Sequence, residues 1–178
     1  MSTLFVNNLN TASGSTITVP TGKKLVVTDT GGLSVPGTVV QLVNGRASSN
    51  RDTTASTSFV QIGDTLTITP KFSTSKIFML ATISTEMSGT NSAYLDFGKT
   101  TGGVTTQNLS GASNGIVSFY QQTWNHSSIS FVDAPSTTNA IAYFVSAKVS
   151  GGTLYFNDNS ANTHTHFCLL YTSPSPRD

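Results

Sequence analysis

The sequence predicts an all-β fold, a sandwich or barrel of short strands, on three observations. The first is composition. Of 178 residues, 25 are Ser and 29 are Thr, 15 are Gly, and only 10% are charged. Long helices and coiled coils draw on Ala, Glu, Lys, Leu and Arg, which are scarce here. The second is the spread of ten Phe, five Tyr and one Trp along the chain, a supply of core residues that disordered chains lack. The third is pattern: short apolar runs, several alternating with Ser or Thr, separated by Ser/Thr/Gly/Asn clusters.

These numbers also set bounds. The length suits one domain with a short appendage, able to bury roughly 70% of its unfolded surface without metals or disulfides. A net charge of +1 gives no electrostatic footprint for nucleic acid or an acidic membrane. No apolar stretch approaches the ~18 residues of a membrane span, and no basic start with an apolar run marks a signal peptide. The single Cys excludes an internal disulfide framework.

Taken in order, residues 1–37 read as a stalk or attachment segment. Two apolar β-runs, Ser15–Val19 and Leu25–Thr28, flank Pro20-Thr21-Gly22, a turn signal. The segment is too thin to bury a core alone, so it must pack on the main domain or on copies of itself. Residues 38–167 read as the sandwich, with strands expected at Thr38–Val43, Thr57–Ile62, Thr65–Thr69, Lys76–Ser84, Ala93–Phe97, Ile116–Thr123, Ser128–Val132, Ala140–Val149 and Thr153–Phe156, and a last one from about His164. Ile129 and Phe131 share one face, opposite Ser128 and Ser130. Leu66 and Ile68 alternate with Thr65, Thr67 and Thr69. The runs Ile77–Ile83 and Ile141–Val145 are apolar on both faces. They are expected to be central strands, covered by the opposite sheet and by a partner or loop.

Residues 168–178, Cys-Leu-Leu-Tyr-Thr-Ser-Pro-Ser-Pro-Arg-Asp, break the composition. All eleven resemble the translation of a transposase-based sequencing adaptor. That resemblance implies a shotgun read whose gene runs off near Phe167, and it strips the sole Cys, Cys168, of functional meaning.

Chemistry is sparse. Acid–base hydrolysis needs paired carboxylates. The only Glu is Glu86, with Asp96 on the following strand, and solvated positions are the ordinary reading for both. There is no Gly-x-Ser-x-Gly elbow and no phosphate-cradling loop. No cofactor is expected. His164 and His166 would share a strand face. Two imidazoles are half a metal site, although three such pairs around a trimer axis could supply six nitrogens. Tyr120, Trp124 and His126, among Gln121, Gln122 and Asn125, could present aromatic faces and amides to a sugar; rim packing is the ordinary alternative. Asn108-Leu109-Ser110 and Asn125-His126-Ser127 match a glycosylation pattern that recurs by chance in such a chain.

Ser15–Gly32, its continuation Val35–Gln41, then Thr54–Ile62, Leu66–Ile77 and Ser130–Thr138 with the strand after it resemble, in order and spacing, tailed-phage fibre proteins of marine type. The resemblance covers most of residues 15–156. It implies an antiparallel jelly-roll-like β-sandwich head like those of tumour-necrosis-factor and complement trimers, a parallel homotrimer with a short N-terminal β stalk, other virion proteins as partners, and location in a virion tail or appendage. Adhesion to a host-surface glycan or protein through distal loops would be the function. It fixes no binding residues. Nucleic acid, membrane insertion and catalysis are not expected. The alternatives are a free-standing, extracellular carbohydrate-binding or lectin-like module and, more remotely, an esterase or depolymerase domain.

Overall fold

The computed structural model describes residues 19–24, 26, 39–46, 51–120, 124–157 and 165–172. The chain divides into two compact units, Met1–Leu33 and Ser34–Asp178. In the first, the expected turn is present. The Lys23 N–H donates to the Pro20 carbonyl at 3.0 Å, with Gly22 at φ 78°. A positive φ at the third position is what a type II turn asks of Gly. The stalk strands expected on either side lie outside the described residues.

The second unit is all β, with no helix among its described residues. Its strands are β1 (Val39–Arg46), β2 (Asp52–Thr54), β3 (Val60–Ile68), β4 (Ile77–Met87), β5 (Ser92–Thr101), β6 (Val104–Thr106), β7 (Val117–Tyr120), β8 (Asn125–Asp133), β9 (Ile141–Val149), β10 (Leu154–Phe156) and β11 (His166–Thr172). They form two antiparallel sheets. In the first, β4 pairs with β8 along one edge and with β11 and then β10 along the other. β1 lies beyond β11, and β2 beyond β10. In the second, β9 lies between β3 and β5, and β7 and β6 share the far edge of β5.

If β1/β2, β6/β7 and β10/β11 are each taken as one interrupted strand, the unit has eight strands, four in each sheet. The chain changes sheet at every step except β5 to β6/β7. That is a jelly roll: composition and strand spacing predict a sandwich or barrel, and the fibre resemblance implies this form of it.

Alternation builds the core. Ile77, Met79, Ala81 and Ile83 of β4 point inward and are fully buried, as are Leu95 and Phe97 of β5 and Tyr143 of β9. Between the sheets the rings of Phe97 and Phe167 stack at 5.5 Å. The two expected strands Thr57–Ile62 and Thr65–Thr69 are one strand, β3. Its register slips between Ile62 and Leu66, where Gly63 takes φ 73° and its N–H donates to the Asp52 carboxylate at 2.8 Å. That bond ties the edge strand β2 of one sheet to a bulge in the edge strand of the other. β2 and β6 went unread in the sequence because Asp52-Thr53-Thr54 and Val104-Thr105-Thr106 carry no apolar alternation.

The sandwich has two distinct ends. Val39, where β1 begins, lies at one end in line with Thr172, Ile77 and Asp133. Loops 55–59, 88–91 and 150–153 gather at the other. Hydrogen bonds stitch them together: Ser88 N–H to the Thr153 carbonyl (2.9 Å), Thr153 N–H to Ser88 Oγ (2.8 Å) and, from the last residue of β9, Val149 N–H to the Ser56 carbonyl (2.9 Å).

Candidate functional site

The two outer faces of the sandwich are finished differently. On the second sheet, the outward residues of β5 and β9 are covered by the chain itself. Phe144 is fully buried because its ring lies across Gly98, the residue opposite it. A Cβ on Gly98 would sit 2.1 Å from Phe144 Cε2. Asp96 is also fully buried. It accepts hydrogen bonds from the backbone N–H groups of Phe97 (2.7 Å) and Ser110 (3.2 Å) and from the Ser110 hydroxyl. Ser110 belongs to the loop 107–116, which is pinned across β5 at both ends. Leu109 N–H donates to the Phe97 carbonyl (2.9 Å) and Ile116 N–H to the Leu95 carbonyl (2.8 Å). Gly115 (φ 66°) permits that close approach, since a Cβ there would lie 2.4 Å from the Leu95 oxygen. Asn108 spends its side chain inside the same loop, bonded to Gly111 N–H and the Ala112 carbonyl. Nearby, the Lys148 ammonium lies over the rings of Tyr94 (5.0 Å) and Phe59 (5.1 Å).

The outer face of the first sheet has no such cover among the described residues. Register places Val132, Phe78, Leu170 and Leu42 in one row across β8, β4, β11 and β1. Leu42 is 56% exposed, Val132 53%, Leu80 41% and Phe78 39%. Single exposed apolar residues need no explanation; a row across four adjacent strands of a sheet does. Of the two doubly apolar runs, then, Ile141–Val145 is covered on both faces within one chain. Ile77–Ile83 is covered on one.

Toward the loop-bearing end the same face turns polar and aromatic. His126 is exposed and pairs with Ser84, and Glu86 pairs with Tyr155. Trp124 immediately precedes Asn125, which pairs with Thr85, the neighbour of Glu86 in sequence. It is 37% exposed. The Arg51 guanidinium lies 4.0 Å from the centre of the Tyr155 ring, and one of its nitrogens is 3.8 Å from the Glu86 carboxylate.

The sequence candidates are thus partly separated. Trp124 and His126 share the first sheet's outer face. Tyr120, 63% exposed, ends β7 in the second sheet. Glu86 and Asp96 are not brought together: one is on the outer face of the first sheet, the other is sealed beneath the loop on the second. His166 is exposed, between Thr82 and Arg46 in register. His164 lies outside the described residues. Among those residues, no group of three or more His, Cys, Asp or Glu is placed to hold a metal. Arg51 and Tyr155 were missed in the sequence. Arg51 is an isolated charge in a loop and Tyr155 one aromatic in a three-residue strand, so neither carries a motif.

One polar cluster sits inside the sandwich at the end where β1 begins. Asp133 Oδ2 accepts from Lys99 Nζ and from the Tyr143 hydroxyl, both at 2.7 Å. Burial, then the hydrogen bond to the carboxylate, push the Tyr143 hydroxyl's pKa far above its ordinary value.

No protein-family model and no curated protein matches the chain. Among solved structures, it is similar to a chain of infectious bursal disease virus strain Gx, at 13% identity and a TM-score of 0.37, over 76% of this chain and 37% of that one. It is also similar to a chain of the T13 particle of the same virus, at 9% identity and a TM-score of 0.34, over 76% of this chain and 36% of that one. The chain therefore spans little more than a third of the length of either. Similarities of this size carry no argument about function.

Proposed function

We propose that this chain is a virion structural protein, a subunit of a homotrimeric tail-fibre-like appendage whose jelly-roll head adheres to the host surface. The observation that carries the reading is the apolar row Leu42–Leu170–Phe78–Val132, in which Leu42, Phe78 and Val132 are exposed and Leu170 is half-buried. A head that closes one outer face with its own loop leaves the other for copies of itself. The polarity of the head agrees: β1 begins at one end, and the hydrogen-bonded loops 55–59, 88–91 and 150–153 lie at the opposite end, where an adhesive tip belongs. Three shallow sites on one stalk would raise avidity well beyond that of each alone.

A second reading, a free-standing carbohydrate-binding module, is favoured by one observation: Trp124 is exposed rather than packed in the core. Light scattering separates the two. The fibre reading expects a mass three times that of the 18.7 kDa chain, together with binding to intact host cells. A monomer would overturn it in favour of the free module.

A further inference from the structure

We propose that the polar end of the first sheet's outer face is a binding site for a neutral pyranose, formed by Trp124, His126, Glu86 and Arg51 with Tyr155 as support. The proposal rests on the adhesive reading and gives it a place and a ligand class. Four features converge there.

An exposed indole offers an apolar surface for the C–H face of a sugar ring. Next to Thr85, the partner of Asn125, the Glu86 side chain is 31% exposed and can accept from two vicinal hydroxyls. Arg51 donates from the other side. Its guanidinium is already stacked on Tyr155, so less freedom is lost on binding than from a loose side chain. Its contact with Glu86, at 3.8 Å and exposed to water, is weak enough to be exchanged for ligand hydroxyls. The fourth feature is an unmet polar group. Ser84, paired with His126 on this face, is 3% exposed, and its hydroxyl has no hydrogen-bond partner among the described residues.

Charge selects the class. Arg51 and Glu86 cancel, so nothing attracts an acidic sugar, and the carboxylate repels a uronate brought against it. A bare cation is disfavoured because the guanidinium already stands beside the Glu86 carboxylate.

Trp124 is the sole tryptophan of the chain, so its fluorescence reports on this site alone. The experiment is titration of the full chain with the methyl glycosides of glucose, galactose, mannose and N-acetylglucosamine, and with galacturonate. At least one neutral glycoside should change the emission saturably, and galacturonate should bind no more tightly. Glu86→Gln and Tyr155→Ala, each with wild-type mass and circular dichroism, should weaken that binding about tenfold. No response to any neutral glycoside, equal binding by both variants, or tighter binding of galacturonate would overturn the proposal. Its failure is distinct from that of the fibre reading. A trimer that binds cells but no sugar loses only the site, whereas a sugar-binding monomer loses only the fibre.

Discussion

Two residues show how much depends on a single contact. Gly98 must be Gly because the Phe144 ring occupies the space of its side chain and the Thr106 carbonyl lies 2.9 Å from where a Cβ would be. Gly98→Ala should cost about 1–3 kcal/mol, the range for overpacking a filled site, and be read as a lowered denaturation midpoint. Tyr143 makes alkaline stability a local property. Its hydroxyl is held protonated in the fold, well above its ordinary pKa of 10.0. A raised pKa gives stability that is fully present below the unfolded value. It is lost as pH climbs from about 10 through the folded value. Wild type should therefore lose stability on alkalinisation more steeply than Tyr143→Phe. At neutral pH the variant should be the weaker by about 1–3 kcal/mol, the worth of a hydrogen bond to a charged group. Thermal melts of both proteins across that pH range test the point.

Among the elements, β11 carries the most consequence. It lies between β1 and β4 and puts Phe167, Leu169 and Tyr171 into the core, and the Tyr171 hydroxyl accepts from Lys71 N–H at 3.1 Å. Most of the strand falls in the eleven residues that resemble adaptor. A chain ended at Phe167 would lose two buried side chains worth roughly 1.5–3 kcal/mol each, plus the ladder on both sides. Against a total of about 5–15 kcal/mol, that should abolish cooperative unfolding. If the eleven residues are adaptor, the slot between β1 and β4 dictates what replaces them. Sequencing through the 3′ end of the gene should reveal a strand with apolar residues at the positions of Leu169 and Tyr171. A continuation without that alternation would overturn the argument from the slot, and a gene that encodes the same eleven residues would overturn the adaptor reading.

For the whole molecule, the contrast between the two outer faces makes the trimer testable residue by residue. Phe78 points away from the core, so Phe78→Lys should leave single-chain stability within about 0.5 kcal/mol. Placed in an apolar interface, the same charge should convert a trimer to monomer by light scattering. An interface of this kind should also survive high salt, because it owes little to ion pairs. A trimer that persists in Phe78→Lys would place the contact elsewhere on the head.

The sequence carries the class of fold, the period of the strands and most of their positions. Those depend on local alternation and turn chemistry, as at Ile129/Phe131 and Pro20–Gly22. It could not separate Ile77–Ile83 from Ile141–Val145, since both are apolar on both faces. Which of them is covered emerges only when the sheets assemble, because the cover is a Ser/Gly/Asn-rich loop without apolar alternation, held by a bond between Asp96 and Ser110. The same is true of the proposed sugar site. Arg51, Glu86, Trp124 and Tyr155 are scattered along the chain, and only the register of β10 and β8 on β4 sets them side by side.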